Sequence, residues 1–273
     1  MKKDEASPLG IIMGRGDLPQ ALADFCKSIK RAYYLFPIES QADESFVQHH
    51  PHVWISPGSV KKNLLLFKQR KIKELVFIGH IKRPSLLSLK LDFLALKWLI
   101  SIGWKAKGDD GLLSGIVSFL EQEGFKVMGI HQLIHKILMP KGALGSVKPS
   151  TNDIKNIKQG AQAAQELGKQ DIGQAVVVEE GHIVARETQE GTDWMLEHAS
   201  RHFKSQGKAI LVKMAKPQQE KRVDLPTIGP KTIEKLALYG YKGVALEAGA
   251  GLIVNQEQVI KMANEKGIFV YGV

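Results

Sequence analysis

Leu9-Gly10-Ile11-Ile12-Met13-Gly14-Arg15-Gly16-Asp17-Leu18-Pro19 decides how the first half of the chain folds. Its first five residues are uncharged and apolar, as in a strand buried on both faces. Gly14 and Gly16 then permit a tight turn, and Asp17 opens a helix with Pro19 in its first turn. That helix carries Leu18, Ala21, Leu22, Phe25, Cys26 and Ile29 at three- and four-residue spacing, one apolar stripe. Strands at 32–37, 74–78 (ELVFI) and 125–130 follow. They alternate with helical stretches beginning near Pro57-Gly58 and covering 84–102 and 109–123. This strand–helix alternation predicts a parallel sheet with helices on its faces.

Outward from there the pattern changes. Residues 139–150 (MPKGALGSVKPS) concentrate Gly, Pro and Ser and read as a linker. Beyond them come a helix from Thr151 or Asn152 to about Leu167, a hairpin around Glu180-Gly181, and a helix from Glu190 to about Phe203. A strand at 209–214, a helix at 230–239, a strand-rich stretch at 244–254, and a last helix and strand complete the pattern. The expectation is two α/β domains: 1–138, Rossmann-like with a parallel sheet, and 151–273 with a mixed sheet.

Composition narrows the function. The chain has 273 residues with 44% hydrophobic and 24% charged, enough apolar content for a packed core. One cysteine, Cys26, excludes an intrachain disulfide and argues against a thiolate zinc site. The N-terminus shows no signal-peptide core, and the greasiest stretch, 86–104, is interrupted by Lys90, Asp92 and Lys97; a cytoplasmic protein is expected. Twelve of the 38 Lys and Arg, but only Glu74 and Asp92 of the 28 acidic residues, fall between 60 and 108. That window alone carries the net +10. A local basic excess suits an anionic partner: a phosphorylated ligand, a lipid surface or nucleic acid. A solvated helical face reads the same.

Several motifs carry candidate chemistry. The Gly14–Pro19 turn offers a helix N-terminus to a phosphate, although Pro19 stands where a dinucleotide fingerprint needs its third glycine. Gly79-His80-Ile81-Lys82-Arg83-Pro84 follows a strand whose end should face ligands. Gly108-Asp109-Asp110 precedes a helix, where carboxylates cap or bind ribose or metal. Glu187 to Asp193 (ETQEGTD) packs three carboxylates and two hydroxyls into seven residues, a density suited to magnesium. Lys213 to Pro217 and Arg222 to Pro230 (RVDLPTIGP) place cations and Asp224 beside strand ends. The helix at 84–102 has a wide apolar face flanked by lysines, suited to acyl chains, a membrane interface or a partner domain. The histidine pairs 131/135 and 198/202 and the loop histidines 49, 50 and 52 lack a metal-site pattern.

Taken together, LGIIMGRGDLP, KGDDGLL, GQAVVVEEGHIVARETQEGTDWML, KPQQEKRVDLPTIGP and AGAGLIVNQEQVIKMANEKGIFVYGV make the chain similar to one family. It resembles the two-domain, magnesium-dependent UDP-2,3-diacylglucosamine pyrophosphatases of lipid A biosynthesis, unrelated to the calcineurin-like enzymes of the same step. The resemblance implies a site between the domains. There water would attack the uridine-side phosphorus, giving UMP and 2,3-diacylglucosamine 1-phosphate, a lipopolysaccharide precursor. It implies Asp224 as catalytic residue; Asp224, together with Glu190 and Asp193 of the oxygen-rich ETQEGTD segment, makes up the candidate Mg2+ ligands. Gly14, Gly16, Leu18, Gly79, Asp109, Asp110, Gln189, Gly191, Thr192 and Lys213 are the candidate substrate-binding residues. Glu220 stands where the family pattern leads one to expect Asp. The implied partners are the lipid nucleotide and an anionic inner-leaflet surface reached peripherally, and a homodimer is compatible. A UDP-sugar transferase and a nucleic-acid-binding module are the alternatives; few aromatics accompany the basic window, which argues against stacking on nucleic acid.

Overall fold

The computed structural model describes residues 7–81, 91–102, 108–204 and 207–273. The chain divides into two compact units, 1–134 and 135–273.

In the first unit, strands β1 (Leu9–Met13), β2 (Tyr33–Pro37), β3 (Glu74–Ile78) and β4 (Lys126–Met128) form one parallel sheet in the order β2-β1-β3-β4. All five β1 residues are buried, as an uninterrupted apolar run in a covered sheet requires. Helix α1 (Leu18–Ser28) buries Leu22, Ala23 and Cys26. The Cys26 thiol is pushed up to about 11 by burial, so it is a small core residue. Short α2 (Glu44–Val47) is capped by Asp43, whose carboxylate accepts from the Ser45 N–H at 3.0 Å. Helix α3 (Val60–Gln69) contributes Leu64 and Phe67; the Phe67 ring meets Phe36 and Phe125 edge-on.

The single helix expected over 84–102 is not what the structure shows. Residues 82–90 lie outside the described residues, and α4 runs only over Phe93–Ile102. Asp92 caps α4: its carboxylate accepts from the Ala95 N–H at 2.8 Å and from the Lys61 N–H at 2.7 Å. Helix α5 spans Gly108–Gln122, close to the helix expected at 109–123, with positions 109 and 110 in its first turn. Short α6 (Ile130–Leu133) closes the unit.

The second unit is a six-stranded mixed sheet ordered β5-β12-β10-β8-β6-β7. Its strands are β5 (Gly142–Leu144), β6 (Ala175–Glu179), β7 (His182–Arg186), β8 (Ile210–Lys213), β10 (Gly243–Leu246) and β12 (Phe269–Gly272). A separate parallel pair joins β9 (Thr227–Ile228) to β11 (Leu252–Ile253). The stretch 139–150 is therefore not wholly a linker: β5 within it pairs antiparallel with β12. Helix α7 (Thr151–Lys169) starts at a capping box in which Ser150 and Asp153 satisfy each other's backbone N–H groups.

Alternation along the strands sorts the core into two layers. Val176, Val178, Ile210 and Val212 face α7 with Ile157, Ala161, Ala164 and Leu167. Ala175, Val177, Leu211, Val244 and Leu246 face the other way. They meet α8 (Gly191–Ser200), α9 (Pro230–Leu238) and α10 (Gln256–Lys266) through Leu196, Ile233, Leu236 and Val259. The Glu180-Gly181 turn has positive φ at both residues, 46° and 81°, the geometry a two-residue hairpin requires.

Candidate active site

Two sheet edges carry the candidate residues. In the first unit β1 lies between β2 and β3, so the chain leaves β1 in one direction and returns on its other side. Ligands bind at such a switch point, beyond the strands' C-terminal ends. The loops after β1 and β3 meet there. The Gly14 N–H donates to the Ile78 carbonyl at 3.0 Å, Arg15 N–H to the His80 carbonyl at 3.0 Å, and His80 N–H to the Arg15 carbonyl at 2.7 Å. Two glycines make this contact possible. A Cβ on Gly14 would sit 2.2 Å from the His80 carbonyl oxygen, and one on Gly79, at φ 85°, would sit 2.7 Å from the Arg15 oxygen. Gly14, Gly16, Leu18 and Gly79 are thus brought to one corner. The Gly14 and Arg15 N–H groups are spent on the neighbouring loop, so a ligand at this corner would meet Gly16 and the first turn of α1.

In the second unit the candidates gather where β8 ends. Lys213, its last residue, is only 8% exposed. Its Nζ donates to Thr192 Oγ1 at 3.1 Å and to the Thr227 carbonyl at 3.5 Å. Among the described residues its ammonium has no carboxylate partner. Thr192, in the first turn of α8, donates its hydroxyl to the Glu187 carboxylate. Glu187, itself buried, accepts from the Gln174 N–H at 2.8 Å through its other oxygen. The end of interior strand β8, one helix start and the β9 carbonyl therefore hold a buried cation in place through neutral groups. Burial of a cation without an ion partner is costly, and an arriving anion would relieve that cost. Glu247, after β10, accepts from the Ala215 N–H at 2.9 Å and fixes the loop following Lys213.

Asp224 lies half-buried in the segment between β8 and β9, with its N–H on the Glu220 carbonyl at 3.1 Å. Glu220 grips Arg222 with both carboxylate oxygens, at 2.8 Å each. That hydrogen-bonded guanidinium outweighs burial and holds the Glu220 carboxyl below the usual carboxylate range. Gln218 ties the same loop to the Gly168 carbonyl at 2.7 Å, and Lys216 pairs with Asp171 at 2.6 Å. The segment bearing Asp224 is thus fastened at several points.

Other candidates fall elsewhere. Gln189 and Glu190 are exposed, Glu190 at the start of α8 and Gly191 as its first residue. Asp193 is 75% exposed in its side chain and paired with Lys235 at 2.6 Å. Among the described residues no three His, Cys, Asp or Glu converge as a metal-binding group, so Asp224, Glu190 and Asp193 do not form a protein-made cage. Asp110 is buried in α5. Lys82 and Arg83 lie outside the described residues. His50 is buried with its Nδ1 2.6 Å from the Tyr33 hydroxyl, and His198 stacks on Trp194 at 3.8 Å between ring centres, both packing roles. Glu187 and the Thr227 carbonyl are the site groups that sequence reasoning did not assign. The crowding of oxygen donors in ETQEGTD was the signal for the first; a backbone carbonyl leaves none.

The geometry defines a two-unit α/β protein with two candidate sheet edges, one glycine-built and one holding a buried lysine with no carboxylate partner among the described residues. Comparison with known proteins gives the class its family. Residues 8–137 match the LpxI N-terminal domain and 140–271 the LpxI C-terminal domain. The chain is 38% identical over 272 residues, 97% of each chain, to the UDP-2,3-diacylglucosamine pyrophosphatase LpxI of Caulobacter vibrioides. The chain belongs to the LpxI family.

Proposed function

We propose that this protein hydrolyses the pyrophosphate bond of UDP-2,3-diacylglucosamine in lipid A biosynthesis. Water's oxygen joins the uridine-side phosphorus, the anhydride bond to the second phosphate breaks, and UMP and 2,3-diacylglucosamine 1-phosphate leave. The observation that carries this reading, beside family membership, is Lys213: a buried ammonium held by Thr192 and the Thr227 carbonyl, with no carboxylate partner among the described residues. A diphosphate is the complementary charge, and a fixed cation stabilises the charge that grows as the anhydride breaks.

In this reading Asp224 is the reacting carboxylate, orienting water or holding the metal. Gly14, Gly16, Leu18 and Gly79 serve the nucleotide, as do Asp109 and Asp110. Gln189, Gly191 and Thr192 serve the phosphates with Lys213. Magnesium fits such a site as an ion shared with the substrate, because it keeps several waters and takes one or two carboxylates beside phosphate oxygens. Asp224 is the first such carboxylate and exposed Glu190 the second; Asp193, turned to Lys235, is the weakest candidate. Bound there, the ion would neutralise diphosphate charge. The lipid tail places the work at an anionic cytoplasmic leaflet, reached peripherally; among the described residues no helix is long and apolar enough to cross a membrane.

Incubation with UDP-2,3-diacylglucosamine, with magnesium or with EDTA, tests the proposal. UMP and the lipid monophosphate, formed only with magnesium, are the expected products. UDP as product would make the chain a transferase-like enzyme and end the reading.

A further inference from the structure

Helix α4 is apolar all round, FLALKWLISI, with Lys97 its one charge. A helix of that composition is ordinarily buried. Here only one side is: Ala95 is 3% exposed, and Trp98 meets the Phe119 ring at 5.8 Å. The opposite side carries Phe93, Leu96 and Ile100 at helical spacing, and they are 82%, 46% and 71% exposed. Lys97 is exposed on that same side. Three large apolar side chains in one exposed row are more than the scattered single residues a soluble surface carries.

The neighbouring helix continues the surface. Helices α3 and α4 pack together, joined at their starts where Asp92 accepts from the Lys61 N–H at 2.7 Å and donates its own N–H to the Gly58 carbonyl at 2.9 Å. Along α3, Lys61, Lys62, Leu65 and Lys68 are exposed, Leu65 by 51%. The two helices thus offer apolar side chains interleaved with cations, inside the 60–108 stretch whose basic excess equals the net +10. The combination matches an interfacial helix, whose apolar row enters the acyl boundary while lysines meet anionic headgroups.

We propose that the outward sides of α4 and α3, Phe93, Leu96 and Ile100 with Leu65, Lys61, Lys62 and Lys97, form the surface that docks this protein on an anionic phospholipid bilayer. The charge decides the occupant: an apolar protein partner explains the row on α4 but gives no use to the cations around it. The inference deepens the peripheral membrane location in the proposed function and names the surface responsible for it.

The test is flotation of the full chain with phosphatidylcholine vesicles, with and without phosphatidylglycerol. Three proteins are compared: wild type, Phe93→Asp with Ile100→Asp, and Lys61→Gln with Lys62→Gln. All changed residues are exposed, and a thermal melt checks that folding is kept. Wild type should float with the anionic vesicles only, and less as salt is raised. The aspartate variant should lose binding by about tenfold or more, and the glutamine variant by a smaller factor. UMP release from substrate dispersed in detergent should stay within a few-fold of wild type in both variants. Equal flotation of wild type and the aspartate variant would overturn the proposal. So would a monomer–dimer equilibrium in sedimentation that the aspartate variant alone abolishes, since a second copy would then be the occupant. Lost activity on detergent-dispersed substrate would overturn it too, by placing the row in the reaction. A wild type that floats but releases no UMP would contradict the proposed function and leave the docking surface standing.

Discussion

The two candidate edges are built from opposite materials. The first unit's corner is backbone: the loops after β1 and β3 bond through Gly14, Arg15, Ile78 and His80, and the two glycines let them touch. The second unit's edge is charge: buried Lys213, half-buried Thr192 and buried Glu187 form a chain of polar side chains ending on the Gln174 N–H. Shape alone can hold a ligand, whereas charge stabilisation during a reaction needs fixed dipoles and ions. In the proposed function holding falls to the first edge and chemistry to the second, and each of the following variants tries to break that division.

The largest effect is expected at Asp224. Asp224→Ala should lower the rate of UMP release by about a thousandfold or more while lipid nucleotide still binds, since a carboxylate that acts on water or metal contributes mainly to the reacting state. Single-turnover kinetics with a separate binding titration read the two parts. Glu187→Ala comes next. It strands the Thr192 hydroxyl and the Gln174 N–H and frees Lys213 to move, so kcat should fall by roughly tenfold to a hundredfold, and Glu187→Gln should recover part of it. A loss confined to KM would show that this edge only binds.

At the glycine corner a different signature is expected. Gly14→Ala pushes a methyl group to 2.2 Å from the His80 oxygen. The loops must part, with a stability loss of about 1–3 kcal/mol seen in urea unfolding, and KM should rise more than kcat falls. The smallest effect concerns the first unit's stability and not its ligand. Burial beside Tyr33 holds the His50 imidazole below its ordinary value; Lys27 adds to this and Asp24 opposes it. The folded unit keeps His50 neutral while the unfolded chain takes up a proton as pH falls through about 6.5. Stability is therefore full above that pH and declines below it. Replacing His50 by Gln should flatten the decline of Tm between neutral and mildly acidic pH by about 2–4 °C.

What the sequence disclosed follows the same division. Apolar runs such as 9–13 and 74–78 are strands because burial selects them directly, and the Glu180-Gly181 hairpin follows from its turn residues. The short pairings β5, β9 and β11 join two or three residues through backbone bonds and leave no side-chain pattern. Asp92 reads along the chain as one charge in a helical face; only its acceptance of the Ala95 N–H reveals a cap that starts α4 there. Lys213 and Thr192 stood out as candidates by residue type. Their contact, across 21 positions, comes from the sheet order that sets the end of β8 beside the start of α8.

The most direct test of the division is the kinetics of Lys213→Met, which keeps the stem's packing and removes the charge. If the buried cation stabilises the breaking anhydride, kcat for UMP release falls by about a hundredfold or more with the fold and Tm essentially kept. A variant with unchanged kcat, or one affected only in KM, would contradict the account and move the chemistry away from the β8 edge.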